Sequence, residues 1–558
     1  MGIMKACRED SPRRRKERRE MRGEEDIMYY AIKNCMTEWS LTSANAYGDP
    51  FNEVTVDVMI TDPDGEEHRV PTFWAGEQTW SVRYASPKIG THLWRSFCSD
   101  SSNQDLHGRE GVLEVKPYEG NNSLLHHGPL QMAEGRRYLE HLDGTPFFWL
   151  GDTWWMGLCK RLSWPGDFQT LTADRVQKGF SVIQIVAGPY PDMDSFDERG
   201  KNEAGFPWEK DYTRINPAYY DMADLRIHHL VKNGLVPCIL GCWGYYMTIM
   251  GVEKMKQHWR NLVARYGAYP AVWCLAGEGI MAYYLSEDRD KDRDFQKKGW
   301  TELASYVRDI DPYQHPLTIH PTDSARNQVE DSSLLDIDML QTGHGDRRSI
   351  PNTVRRVTEA YAGSPTIPVI NGEVCYEGIG EASRQEVQRL MFWVCMLSGA
   401  CGHTYGANGI WQVNTKEVPY GPSPHGMAWG HVPWDEASQL PGSRQIGLGK
   451  RLLERYEWWD FQPHPEWVEP HASADNYNAP YAAGIPGKVR IVFLPSGVWG
   501  ITLKAIETDT SYRAFLFSPV NGEEQEIGPV EPDEQGNWRI PISRTPIFQD
   551  WLLVLEKG

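Results

Sequence analysis

The sequence has no apolar run approaching the roughly 20 residues that a helix needs to cross a bilayer, which excludes an integral helical membrane protein. It is also short of positive charge. With a formal net charge of −19 the chain would repel phosphate backbones and anionic lipid, so neither nucleic acid nor a membrane is expected as a partner. Cys238 and Cys242 form a C-x3-C pair with no second pair at zinc-finger spacing. Most cysteines lie in or beside apolar stretches (Cys238, Cys274, Cys395, Cys401), where a free thiol packs as a small hydrophobe. No metal or other cofactor is expected. The first residues, MGIMKACREDSPRRRKERREMRG, carry nine basic and four acidic residues before Gly23 and lack the apolar segment of a secretory signal. Ala6 stands where N-myristoylation would need Ser or Thr. Residues 1–27 therefore read as a disordered basic tail, with Met21 or Met28 as alternative starts and polyanion binding as the functional alternative. The chain reads as cytoplasmic, and a homo-oligomer is left open.

What the chain has in abundance is aromatic: 23 Trp and 26 Tyr. Such rings either fill a core or offer flat faces and polar edges to sugar rings. At 558 residues the chain also exceeds the roughly 250–300 at which a single core stops growing, so two or three domains are expected. From 28 to 118 the pattern alternates as in strands (NEVTVDVMITDP, TWSVRYAS, GVLEV), with a turn at Pro63-Asp64-Gly65, and predicts an N-terminal β-sandwich. Between 119 and 460 eight short apolar runs alternate with helical stretches: PFFWLGDT, FSVIQIVA, LVPCILGCW, AVWCLAGE, PLTIH, DIDMLQTGH, IPVINGE and GACGHTYG. Alternation implies parallel βαβ units, and eight of them without a phosphate-binding glycine loop favour a (β/α)8 barrel over a doubly wound sheet. From 461 to 558 strands return (KVRIVFLP, YRAFLFSP, WLLVLEK), predicting a second β-sandwich.

A barrel builds its site where its strands end, so the polar and aromatic residues there are the candidates. They are Asp152, Tyr190, Trp243, Glu278, His320, His344, Glu373, His403 and Tyr405, followed in the loops by Trp154, Trp155, Tyr376 and Trp411. Glu278 and Glu373 stand out because each closes an otherwise apolar run, at strands four and seven, across the barrel mouth from one another. Two facing carboxyls suit glycosidic cleavage, in which one attacks the anomeric carbon and the other protonates the leaving oxygen. Taken singly, each glutamate could equally be a structural salt-bridge residue. Apolar neighbours such as Trp273 would keep Glu278 protonated. The H-x-H that would end strand one of a metal-dependent barrel hydrolase is replaced by Gly-Asp-Thr. The barrel histidines are therefore read as hydrogen-bonding to sugar hydroxyls or to the nucleophile. Asp192, Asp194 and Asp197, after strand two, read as a solvated loop.

The segments PFFWLGDTWW, VWCLAGE and PVINGEVCYEG resemble the apiosidase-like glycoside hydrolases, members of the broad retaining (β/α)8 superfamily. The flanking modules are similar to that family's usual neighbours, an N-terminal immunoglobulin-like domain and a C-terminal β-sandwich of the collagen-binding type. The resemblance implies acid/base for Glu278, nucleophile for Glu373 and a sugar-hydroxyl contact for Asp152, acting on plant-type oligosaccharides, polysaccharides or glycosides. It also marks a departure: the wider superfamily commonly carries Asn before the acid/base, where this chain has Gly277. An inverting glycosidase, a metal-dependent barrel hydrolase and a non-catalytic carbohydrate-binding protein stand as alternatives.

Overall fold

The computed structural model describes residues 27–541 and 547–558 apart from Ala474 and Trp499; the expected basic tail lies outside the described residues, save Ile27. Eight parallel strands form the central sheet: β1 (Trp149–Trp154), β2 (Val182–Val186), β3 (Val236–Leu240), β4 (Val272–Cys274), β5 (Leu317–Thr318), β6 (Asp338–Gln341), β7 (Val369–Glu373) and β8 (Gly402–Tyr405). Their order runs β5-β4-β3-β2-β1-β8-β7-β6, the sequence of a barrel whose ladder is open between β5 and β6. There the Asp336 N–H donates to the Leu317 carbonyl at 2.9 Å and the Thr318 hydroxyl to the Ile337 carbonyl at 2.9 Å, so the seam is bridged without a full ladder. Strands such as VIQIV and VPCIL are buried along their whole length, because the barrel interior covers one face and helices the other.

Helices follow most strands: α1 (Gly166–Lys178), α2 (Pro217–Lys232), α3 (Val252–Tyr266), α4 (Arg289–Ile310), α5 (Ile350–Tyr361), α6 (Gln385–Leu397) and α7 (Pro441–Leu453). Between β5 and β6 two short 3-10 turns take the place of a helix. The run PFFWLGDT divides: Pro146–Phe147 pairs antiparallel with Leu139–Glu140 in a small three-stranded sheet, and β1 begins at Trp149. No helix among the described residues is long and apolar enough to cross a membrane.

The N-terminal region has one sheet of five strands and one of three, packed around Trp39, Val58, Ile60, Trp80, Trp94 and Leu113. The C-terminal region holds a six-stranded sheet whose alternating residues serve two cores, as the period of two requires. Ile491, Phe493, Phe515 and Val554 join the barrel's core, while Val492, Leu494, Leu516 and Leu553 pack with Trp467 and Trp538. Phe493 stacks on Trp393 of α6 at 6.4 Å, and Arg389 of α6 pairs with the buried Asp550. The sheet thus braces the helix that follows the Glu373 strand.

Candidate active site

Glu373 ends β7 and Glu278 stands four residues beyond β4, which is shorter than its apolar run suggests. A bridge between Trp243 and Gly277 prolongs the pairing of β3 and β4, after which the chain turns through a left-handed Glu278 (φ 44°). A non-glycine residue in that region is strained, and such strain persists where the surroundings hold it. Both carboxyls open on one cavity of about 250 Å3, lined also by Trp155, Trp243, Gln341, His344, Tyr376 and Trp411 and by outer-loop residues.

Gln341, at the end of β6, ties the two glutamates together. Its Nε2 donates to Glu278 Oε1 at 3.1 Å and approaches Glu373 Oε1 at 3.3 Å. Glu278 Oε2 accepts from the Trp243 indole at 3.2 Å. Glu373 is held more densely: the Tyr376 hydroxyl donates to Oε2 at 2.7 Å and itself accepts from the Trp155 indole at 2.8 Å. His344 Nε2 lies 2.7 Å from Oε1, where an ionised carboxylate, an acceptor only, takes its proton. His320 Nε2 is 3.2 Å from Oε2 but poorly aligned. These contacts set the two carboxyls apart electrically. For Glu373, burial alone would raise the carboxyl, but the His320 and His344 contacts outweigh it and hold the group well below the ordinary carboxylate range. For Glu278, burial and then the nearby Glu373 charge push it up, against the Gln341 hydrogen bond. His344 is raised: burial disfavours its charge, yet the Glu373 contact more than compensates.

The sequence candidates separate into two groups. Trp155, Trp243, Glu278, His344, Glu373, Tyr376 and Trp411 line the cavity, and His320 lies directly behind Glu373 with its ring edge-on to Trp155 at 5.2 Å. The others face elsewhere. Asp152 is fully buried and its Oδ2 accepts from Arg175 Nε at 2.6 Å and the Trp154 indole at 2.7 Å; Trp154 in turn packs edge-on against Phe168 of α1. Tyr190 shares a 2.6 Å hydrogen bond with Tyr219 and lines a separate crevice. Tyr405 donates to Glu377 at 2.5 Å, and His403, pushed down to about 3 by burial, packs edge-on to Phe392. Along β1 and β8 these side chains point toward the helices or into the core, a choice that alternates residue by residue.

The structure also brings to the cavity Gln341, which the sequence did not single out, and Asp192, which it placed elsewhere. Gln341 lies inside the apolar run DIDMLQTGH, where an amide among hydrophobes was the available signal. Asp192, unlike the exposed Asp194 of the same loop, departs from the solvated reading: it is 7% exposed and at the cavity wall, with its carboxyl raised by burial against hydrogen bonds from Tyr284 and Trp429. Among the described residues, the cluster with three potential metal ligands is Asp62, Glu66 and His68. It lies in the N-terminal region, and Lys88 Nζ occupies it, 2.6 Å from Asp62 and 3.1 Å from Glu66.

Gly277 has a physical explanation. A Cβ there would meet the Trp243 ring at 2.2 Å, so the indole that donates to Glu278 lies across the space a side chain would need. Gly277→Ala is expected to cost about 1–3 kcal/mol of stability through overpacking, and Trp243→Leu in the same chain should recover part of it. Thermal unfolding of the three variants checks this; an undiminished Gly277→Ala would mean that the indole swings aside freely.

A family described as the apiosidase-like catalytic domain matches residues 133–460, more than half of the chain. A domain of unknown function, DUF5060, matches residues 35–99. No curated protein matches. Among solved structures, a family 5 glycoside hydrolase of Bacteroides vulgatus is similar at 22% identity, over 77% of this chain and 94% of its own, with a TM-score of 0.63. A second Bacteroides vulgatus protein, provisionally assigned as a glycoside hydrolase, is similar at 17% identity over 95% of this chain and 100% of its own, with a TM-score of 0.68. At these identities the likeness is one of fold.

Proposed function

The chain belongs to the apiosidase-like family of glycosidases, and from that premise we propose that it cleaves O-glycosidic bonds with retention, Glu373 acting as nucleophile and Glu278 as acid/base. One observation carries the reading: a single amide nitrogen reaches both carboxyls. The oxygens that Gln341 touches are therefore no more than about 6.4 Å apart, the sum of its two distances, which fits the roughly 5–5.5 Å of retaining sites better than the roughly 6.5–9.5 Å of inverting ones.

The electrostatics support the same division of roles. Glu373, ionised and gripped by Tyr376 and His344, is held in place for attack on an anomeric carbon. Glu278, its carboxyl pushed up by burial and by the neighbouring charge, delivers its proton to the leaving oxygen and afterwards takes one from the attacking water. In the first half-reaction the Glu373–C1 bond forms as the glycosidic C–O bond breaks; in the second, water replaces Glu373 at C1. Trp155, Trp243 and Trp411 supply planes for the sugar's C–H faces. Plant-type glycosides and oligosaccharides are the proposed substrates, supported by the family assignment.

Screening aryl pyranosides and furanosides, apiosides and arabinofuranosides among them, should find a substrate, and NMR of the first-formed sugar should show the substrate's own anomeric configuration. An inverted first product would overturn the mechanism. The pH profile provides a further check. Since Glu373 is depressed and Glu278 raised, kcat/KM should fall on the acid side only below the ordinary glutamate range, as Glu373 protonates, and on the basic side only above it, as Glu278 ionises. The two apparent values belong to the coupled pair. With a dinitrophenyl leaving group, which needs no proton, the basic limb of kcat/KM should flatten; a basic limb that persists would assign it to another group.

A further inference from the structure

The wall formed by the outer loops carries a feature that the cleavage chemistry does not use. Asp192, in the loop after β2, has a backbone of left-handed conformation (φ 57°) and a side chain almost wholly buried. Its Oδ1 accepts from the Tyr284 hydroxyl at 2.7 Å, from the loop after β4, and its Oδ2 from the Trp429 indole at 2.8 Å, from the loop after β8. Three separate loops thus converge on one carboxylate. No salt bridge to it is found among the described residues. Arg199 pairs with Asp197 and hydrogen-bonds the Asp192 backbone carbonyl, so its charge, like that of His425, acts on the Asp192 carboxyl only from a distance. Buried carboxylates are ordinarily paired with a cation or saturated with donors. This one has two donors for about four acceptor positions, which leaves one position on each oxygen. Two adjacent hydroxyls of a sugar are donors at the matching spacing.

The charges around the cavity narrow the class further. Its lining holds three carboxyl groups (Asp192, Glu278, Glu373), two imidazoles (His344, His425) and neither Lys nor Arg. A bound uronate, sulfated or phosphorylated sugar would place its own anion beside these carboxyl groups with no guanidinium or ammonium to meet it.

From this we propose that the cavity takes an uncharged glycosyl unit whose vicinal diol is chelated by Asp192, Tyr284 and Trp429 holding that carboxylate in place, and that anionic sugars are rejected. The proposal rests on the glycosidase reading for its biological sense, but binding tests it separately from turnover. Intrinsic tryptophan fluorescence of the full chain is titrated with D-galactose against D-galacturonate, D-glucose against D-glucuronate, and D-xylose. At least one neutral sugar is expected to saturate the signal, and its uronate counterpart to bind at least roughly tenfold more weakly. Asp192→Asn, which keeps the shape and removes the charge, should weaken the neutral sugar by about tenfold to a hundredfold. It should change by less than about threefold the binding of the dideoxy derivative that lacks both chelated hydroxyls, since those contacts are already gone. Equal losses for the parent sugar and every deoxy derivative would make Asp192 a mere brace for the loops and overturn the chelation. A uronate bound as tightly as its neutral counterpart, or no neutral sugar bound at all, would overturn the class. Binding without hydrolysis of any aryl glycoside would instead leave this inference standing and overturn the glycosidase reading.

Discussion

Glu373→Ala is expected to lose turnover of every substrate, whereas Glu278→Ala should still carry out the first half-reaction on a dinitrophenyl glycoside. The difference follows from what each carboxyl does in the proposed double displacement. Without Glu373 no glycosyl-enzyme can form, whatever the leaving group. Without Glu278 a good leaving group departs unaided, but water then lacks its general base and the intermediate accumulates. On substrates with poor leaving groups the loss should reach roughly 10²–10⁴-fold, the usual worth of general acid–base catalysis. Added azide distinguishes the roles. In Glu278→Ala it should restore turnover and give a glycosyl azide of the substrate's own configuration, because a small anion attacks the intermediate without base assistance. In Glu373→Ala it should occupy the vacated face and give the inverted azide. If the two products are exchanged, so are the roles. The surroundings already differ in the required sense: Glu373 is gripped by Tyr376 and His344 at 2.7 Å each, while Glu278 has longer contacts to Trp243 and Gln341.

Asp152→Ala is expected to act on stability first, at a cost of about 3 kcal/mol, the lower end of the usual penalty for breaking a buried ion pair. Its partner Arg175 is as fully buried as Asp152 itself, so removing the carboxylate strands a guanidinium in the barrel wall. Asp174, which also pairs with Arg175, keeps the loss from being larger. The Trp154 indole loses its acceptor in the same change. Denaturant unfolding measures the cost, and kinetics on the folded fraction should show KM close to that of the unchanged chain. The opposite outcome, an undiminished midpoint with a raised KM, would restore the sugar-hydroxyl contact that the family resemblance implies for Asp152.

Much of the frame was legible in the residues. Apolar runs of strand length alternating with helical periodicity are a local signal, because a strand covered on both faces has to be apolar throughout, as VIQIV and VPCIL are. The polar residues that end such runs were legible for the same reason: a charge is tolerated only where the strand leaves the core, which pointed to Glu278 and Glu373. Less legible were the short pairings. Tyr481–Ile485 and Glu524–Pro529 contain Gly or a run of exposed charge, so neither shows a clear alternation, and both are strands because neighbours hydrogen-bond to them.

By itself, then, the sequence determined the barrel, its β-rich flanks and the strand ends at which two glutamates emerge, since each of these depends on the character of a contiguous segment. Only the tertiary structure decided which candidates share a cavity. Asp152, Trp154, Tyr190, His403 and Tyr405 turn away from it, because a one-residue step along a strand reverses the direction of a side chain, and the loop after β2 carries Tyr190 to Tyr219 instead. Gln341 between the glutamates, and Asp192 with Tyr284 and Trp429, come together from β6 and from three loops separated by up to 237 positions in the chain. No local pattern records such a meeting, since it is closure of the barrel that brings distant strand ends to one face.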